Sequence, residues 1–232
     1  MSKFLKRSTN SEIMDDLQCS GKVVHQTLRE LDFINQWLGG NTITLSGLKK
    51  LMSNKSVKAI SIADIGCGSG DMLRLVNSQF GKDVKLDLTG IDANPNIIAF
   101  AQQQQTIPII FITENVLDAS FQNKKFDVVL ATLFLHHFSN AELVSILKSL
   151  VRQVRMGIVI NDLHRHPLAY YSIKWLTYFF SKSAMVKFDA PLSVLRGFSR
   201  KEWETILKEA GITNYTLQWK WAFRWQLIIP AS

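Results

Sequence analysis

Residues 58–76 read KAISIADIGCGSGDMLRLV. A short apolar run ends in an acid, Asp64. Glycines follow at 66, 68 and 70, and an amphipathic pattern then begins. The run has the length and composition of a buried strand, and the pattern after it has the spacing of a helix. In a strand-to-helix turn, glycines let the backbone approach a ligand, and the helix start offers unpaired N–H groups. The next apolar segment, KLDLTGID (85–92), ends in Asp92, 22 residues after Gly70. A carboxylate there can accept hydrogen bonds from both hydroxyls of a ribose. The two stretches predict a nucleoside-bearing cofactor lying across the ends of the first two strands.

Outward from this unit the alternation continues. DMLRLVNSQF and PNIIAFAQQQQ read as helices, and IPIIFIT (107–113), FDVVLATL (126–133) and MGIVIND (156–162) as strands. SNAELVSILKSLVRQV (139–154) reads as a helix with Ser139 or Asn140 at its N-cap. SRKEWETILKEAG (199–211) opens with a capping-box pair, Ser199 and Glu202, and closes at Gly211. YTLQWKWAFRWQLII (215–229) reads as an antiparallel hairpin. Upstream, Ile13, Leu17, Leu28, Leu31, Ile34 and Leu38 predict a helix over 11–38, ended by Gly39–Gly40–Asn41, with a second over 44–53. The expected fold is α/β: a doubly wound, seven-stranded, mostly parallel sheet with an α-helical cap. The expected organisation is a helical cap over 1–54 and a core over 55–232. Within the core, 163–198 forms a helical lid over the substrate.

Of the 232 residues, 47% are hydrophobic and 20% charged, enough for a sizeable core and too apolar for global disorder. Two cysteines, Cys19 and Cys67, make no disulfide framework and point to a reduced, cytoplasmic protein. The N-terminus has basic residues without the apolar run of a signal peptide, and no stretch is long enough to span a membrane. The net charge is +8. Residues 163–200 hold six Lys/Arg against one acid, Asp189, together with eight of the 24 aromatics. Basic charge set among apolar residues, with no separate basic module, argues against a nucleic-acid partner and leaves room for peripheral membrane contact.

The glycine loop departs from the dinucleotide fingerprint. The third glycine comes one residue early, and Asp64 stands two residues before the first. A carboxylate there suits a cationic group better than a pyrophosphate. In this D-x-G-x-G-x-G pattern, in the acid ending the second strand, and in GIDANP and FDVVLATLFLHHF, the chain resembles class I S-adenosylmethionine-dependent methyltransferases over 58–162. The resemblance implies a Rossmann-like fold and S-adenosyl-L-methionine as cofactor. Asp64, Gly66, Cys67 and Gly68 would lie at its methionine end, Asp92 at the ribose, and Ala93, Asn115 and Val116 at the adenine. Asn115 stands where the family often carries an acid, and its side-chain oxygen can accept the same hydrogen bond.

Ligands of open α/β sheets sit at the carboxyl ends of the strands. LHHF follows the fourth strand and NDLHRHP (161–167) the fifth, so His136, His137, His164 and His166 are expected near one rim of the cleft. Three readings compete. One of them is a general base oriented by Asp162. Asp162, His164 and His166, facing one way on an extended segment, would instead make a two-His-one-carboxylate metal set. The third reading is structural. The metal reading is the weakest, because the spacing matches no ligand motif, and no metal is expected.

In the family, the insertion after strand five commonly lines the acceptor pocket, which makes Tyr170, Trp175, Tyr178 and Phe179 candidates. Arg196 would pair with Asp189 or meet an anionic acceptor group. A weaker similarity to bacterial methyltransferases of phenolic and polyketide-type molecules implies O-methylation of a small aromatic or lipophilic acceptor. C-methylation of a quinone- or phenol-type ring and a non-catalytic cofactor-binding protein are the alternatives. The Asn/Asp-Pro-Pro-aromatic motif of amide and exocyclic-amine methyltransferases is absent, since Thr132–Leu133–Phe134–Leu135 follows strand four.

Overall fold

The computed structural model describes residues 3–53 and 57–231. Its centre is a seven-stranded sheet: β1 (Ala59–Ile65), β2 (Lys85–Asp92), β3 (Ile110–Thr113), β4 (Phe126–Thr132), β5 (Val154–Leu163), β6 (Thr216–Lys220) and β7 (Arg224–Pro230). The spatial order is β3-β2-β1-β4-β5-β7-β6. The first five strands are mutually parallel, and β7 runs antiparallel to β5 and to β6. Successive strands are added to one side of β1 and then, from β4, to the other, so a crevice opens at the carboxyl ends of β1 and β4. Because β7 is antiparallel, its first residue, Arg224, lies at this same edge, opposite Leu163.

The described residues form eight α-helices: α1 (Lys22–Trp37), α2 (Gly40–Met52), α3 (Asp71–Phe80), α4 (Pro95–Gln103), α5 (Asn140–Gln153), α6 (Pro167–Phe180), α7 (Ala184–Arg196) and α8 (Arg200–Glu209). Strands covered on both faces read as near-continuous apolar runs, and β1 shows why. Ile60 and Ile62 turn to one face, where they pack with Leu48 and Leu51 of α2 and Met72, Leu73 and Val76 of α3. Ala63 and Ile65 belong to the other face, with Leu143, Ile146 and Leu147 of α5 and Trp203 and Ile206 of α8. Helix α2 therefore forms part of the sheet's own covering layer. Its Gly47 allows the close approach, since a Cβ there would lie 2.6 Å from Val159 Cγ1.

The α5 and α8 caps are those read from the sequence, with Ser139–Glu142 and Ser199–Glu202 capping boxes. Three elements differ by three residues or more. The helix expected over 11–38 is broken: only a short 3-10 turn, Ile13–Asp15, precedes α1, which starts after Gly21 at φ 81°. Long-range contacts take over the early backbone, because Asp189 accepts from the N–H groups of Ile13 (2.8 Å) and Met14 (3.1 Å). The second helix starts at Gly40, four residues early, and the third strand shortens to Ile110–Thr113. Pro108, without an N–H, cannot join that ladder.

Candidate active site

One cavity of about 640 Å³ runs along the carboxyl edge of the sheet, lined from Asp64 and Asp92 to Leu163 and Arg224. Its cofactor end is built from the first two strand ends. Gly66 and Gly68 take φ values of 66° and 52°, a region that disfavours side chains. A Cβ on Gly66 would sit 2.1 Å from the Phe134 ring, so that glycine also makes room for the loop after β4. Asp64 is buried, and its Oδ1 has no hydrogen-bond partner. Burial, reinforced by the carboxylates of Asp71 and Asp92, pushes the Asp64 carboxyl well above the usual range. An orphaned acid among acids is a site for a cation. Asp92 is raised by burial as well, against the pull of backbone N–H bonds from Asn94 (3.0 Å) and Gly68 (3.4 Å). Cys67, Ala93, Asn115 and Val116 complete the lining. The Asn115 side-chain oxygen also accepts the Leu117 N–H at 3.0 Å.

Farther along the edge stand two His–Asp pairs. His136 Nδ1 lies 2.7 Å from Asp162 Oδ1, and its backbone N–H donates to Asp162 Oδ2 at 3.1 Å. Asp162 Oδ1 also accepts the Leu163 N–H at 2.7 Å. Burial raises the Asp162 carboxyl, yet His136 and the backbone bond outweigh it and hold it below the usual range. An ionised Asp162 fixes the proton of His136 on Nδ1 and leaves Nε2 as an acceptor. His137 Nδ1 lies 2.6 Å from Asp15 Oδ1, and the two imidazole centres are 4.3 Å apart. Arg196 donates to Asp15 Oδ2 at 2.5 Å and to the carbonyls of His136 and His137. Burial works against the charge on Asp15, but His137 and Arg196 prevail and keep it ionised.

Glu12 faces both pairs. Its Oε1 is buried without a hydrogen bond and stands 3.7 Å from His136 Nε2 and 3.7 Å from Arg196 Nε. Burial pushes its carboxyl up to about 7. One ligand atom from each of Glu12, His136 and His137 lies within 4.8 Å of the other two. These could hold a metal ion, but the Arg196 guanidinium already places a positive charge beside the Glu12 oxygen. The set is not the one considered from spacing. Asp162 turns to His136, whereas His164 packs edge-on against Trp225 and accepts the Trp219 indole N–H at 3.1 Å.

The comparisons with known proteins bear on this architecture. Residues 62–157 match the model of the methyltransferase domain family. A methyltransferase domain of that kind therefore spans the glycine loop, Asp92 and the first five strands of the sheet. The fold is shared with the plantazolicin methyltransferase BpumL bound to S-adenosylhomocysteine, at a TM-score of 0.66 and 21% identity over 90% of this chain and 89% of that one. It is shared as well with human N-acetylserotonin methyltransferase bound to S-adenosylmethionine, at 0.63 and 16% over 90% and 56%. A third neighbour is the CurJ carbon methyltransferase, at 0.60 and 16% over 83% and 54%. No curated protein matches the chain. The residues at this end of the cavity fit S-adenosylmethionine: the orphaned Asp64 suits its amino-acid ammonium, and Asp92 suits its ribose.

The fold brings His136 and His137 to the cavity, but not the other two histidines. His166 caps α6 by accepting the Leu168 N–H and stacks on Phe223, and neither it nor His164 is in the cavity lining. Burial, with His166 and Arg165 beside it, lowers His164 to about 4. Four aromatics expected in the pocket, Tyr170, Trp175, Tyr178 and Phe179, also stand outside the lining, which uses Ala169, Ser172, Ile173 and Leu176. The α6 face is reversed because the small and aliphatic residues, at helical spacing, fit against the cavity and leave Trp175, Tyr178 and Phe179 exposed. Arg196 is engaged as described, and Asp189 serves the Ile13–Met14 backbone, so the two do not pair. Glu12 and Asp15 escaped the sequence reading. They lie in a polar segment with no motif, and long-range contacts alone place them.

Proposed function

We propose that the methyltransferase transfers a methyl group to a hydroxyl of a small aromatic, lipophilic acceptor, with His136 as the general base. One observation carries this reading. Three atoms lying within 4.8 Å of one another have a common point within about 2.8 Å of each, which is hydrogen-bond range for an oxygen. A hydroxyl seated between Glu12, His136 and His137 would be held from three sides. His136 Nε2 would take its proton, and the imidazolium would be stabilised by Asp162 through Nδ1–H. His136 suits this role better than His137. Asp162 bonds only to His136 and a backbone N–H, whereas Asp15 already shares its charge with Arg196. Glu12, whose carboxyl is raised by burial to about 7, can in its protonated form hold the hydroxyl without competing for its proton. S-adenosylmethionine supplies the electrophilic methyl. Asp64, Gly66, Gly68 and Asp92 hold it, and Ala93, Asn115 and Val116 would flank its adenine. The remaining catalysis is positioning in a cavity that α1, α6 and α7 help to line.

The outer face of α6 suits contact with an anionic lipid surface. Tyr171, Trp175, Tyr178, Phe179 and Phe180 are exposed there, and Pro167–Phe188 contains Lys174, Lys182 and Lys187 with no acid. Among the described residues no helix is long and apolar enough to cross a membrane. The organisation supported best is a core that takes in α2 together with 55–232, with α1, α6 and α7 as the cap. Incubation with labelled S-adenosylmethionine and a panel of phenols tests the function. O-methylated product is expected, and methyl found on ring carbon would favour C-methylation instead.

A further inference from the structure

Sequence reasoning offered Arg196 to an anionic acceptor group, but Arg196 has partners for its charge. A different arginine does not. Arg224 is 4% exposed, lines the cavity, and forms no salt bridge among the described residues. Its Nη1 is buried with no hydrogen-bond partner, and Nη2 donates only to Asn35 Oδ1 at 3.2 Å. Asp162 favours its charge through space, but the Asp162 oxygens are taken by His136 and the Leu163 N–H. Burial, partly offset by Asp162, brings Arg224 down to about 10, so it stays charged at neutral pH. A buried guanidinium N–H without an acceptor is costly and calls for a partner.

The scaffold holds this group in place. Asn35 donates to Asn41 Oδ1, which orients the Asn35 oxygen toward Arg224. A Cβ on Gly40 would lie 2.0 Å from that oxygen, so the second glycine of the pair at 39–40 is what admits it. Asn161 of β5 in turn donates to the Gly40 carbonyl at 2.8 Å. The position matches an acceptor subsite. β7 is three strands from β1, about 14 Å across the ladder from Asp64. Leu163, Trp221 and Phe223, apolar neighbours of Arg224 in sequence or pairing, line the cavity beside it. The cavity thus carries an orphaned acid on β1, toward the cofactor, and an orphaned cation on β7, beyond the histidines.

We propose that Arg224 recognises an acidic oxygen on the acceptor, either a carboxylate or the ionised enol of a vinylogous acid, carried on an apolar ring. A guanidinium meets such oxygens with charge-assisted bonds, and the apolar walls take the ring. The acceptor is then an aromatic or pyrone-like acid whose other hydroxyl reaches the Glu12–His136–His137 notch. The acceptor's role in methyl transfer rests on the proposed function, but the recognition of an anion does not.

Calorimetry on the protein saturated with S-adenosylhomocysteine separates the two. The probes are 2-hydroxybenzoate against its methyl ester, and a 4-hydroxy-2-pyrone against its methyl ether. At least one anion should bind about 10- to 150-fold tighter than its neutral partner, the range of a charge-assisted hydrogen bond. Which of them does so identifies the source of the oxygen. Arg224→Gln should abolish the preference and Arg224→Lys should restore part of it, with S-adenosylhomocysteine affinity confirming the fold. Equal affinity for both members of both pairs in the wild type overturns the proposal, whatever the variants do. A preference that survives in Arg224→Gln overturns it too. Anion preference without methyl transfer to any phenol would leave Arg224 standing and defeat the proposed function, while transfer without anion preference would do the reverse.

Discussion

Replacing Asp162 by Asn tests the proton path with the smallest change in shape. The carboxylate makes three bonds: Oδ1 accepts from His136 Nδ1 and from the Leu163 N–H, and Oδ2 accepts from the His136 N–H. An amide cannot accept at both ends. With its oxygen at the Oδ1 position, two bonds survive and the amide nitrogen opposes one backbone N–H. Turned over, its oxygen keeps the His136 N–H, its nitrogen opposes the Leu163 N–H, and it can donate to Nδ1 once the His136 proton moves to Nε2. The first orientation removes the negative charge that stabilises the imidazolium. The second also places the proton on Nε2, where the base is needed, so either one impairs His136. A hydrogen bond to a charged group is worth about 1.5–3 kcal/mol. Turnover should fall about 100-fold, close to 2.7 kcal/mol in the barrier. His136→Ala, which removes the base altogether, should lose about 10²–10⁴-fold. The opposed donors should lower folding stability by about 1–3 kcal/mol. The assay is steady-state methyl transfer to a phenol that the wild type accepts, with S-adenosylhomocysteine affinity measured in parallel. An Asp162→Asn enzyme with turnover within twofold of wild type and normal cofactor affinity would refute the reasoning.

Other consequences follow from the same geometry. Asp92→Ala should weaken S-adenosylhomocysteine binding about 10- to 100-fold by calorimetry, since the ribose hydroxyls lose a charged acceptor. Glu12 is protonated more readily in the folded chain, at about 7, than in the unfolded one, at its ordinary value of 4.5. Its contribution is therefore favourable below about pH 4.5 and is lost as the pH rises through 7. Glu12→Gln should stabilise the protein by about 3 kcal/mol above pH 8, with little gain at pH 4.5, in denaturant titrations at both pH values. Gly66→Ala should lower stability by more than the roughly 1–2 kcal/mol of a left-handed backbone, because its methyl meets the Phe134 ring, and thermal melts would show it. If the outer face of α6 meets lipid, Trp175→Ser with Phe180→Ser should reduce sedimentation with anionic vesicles about tenfold or more, while neutral vesicles bind weakly in either case.

Much of the fold was legible because it rests on local signals. Parallel strands covered on both faces announce themselves as apolar runs, and Ser139 and Ser199 carry their own caps. The cofactor end was legible for the same reason: Asp64, the glycines and Asp92 belong to consecutive strand ends, so chain order fixes their proximity. The acceptor end is assembled differently. Glu12 and Asp15 reach His136 and His137 across more than a hundred residues, held by Arg196 and Asp189 from α7. No periodicity in a polar N-terminal segment encodes that meeting. His164 and His166 follow Asp162 at alternate positions, but the pleat does not persist past β5. His164 bridges to Phe198 and His166 becomes a helix cap, so their side chains join an aromatic cluster. The aromatics of α6 show the limit of reading burial from residue type. A helix apolar on nearly every side does not reveal which stripe faces inward, and here the smaller residues do.

In the proposed function a hydroxyl is held in the notch of Glu12, His136 and His137 while it takes a methyl from S-adenosylmethionine. The most direct measurement is the position of a transferred ¹³C-methyl group in the product of a phenolic acceptor, determined by NMR for the wild type and for His136→Ala. The account predicts an aryl O–CH₃ product from the wild type, with its rate of formation reduced at least about 100-fold in the variant. A methyl on ring carbon, or O-methylation that proceeds at the wild-type rate without His136, would contradict it.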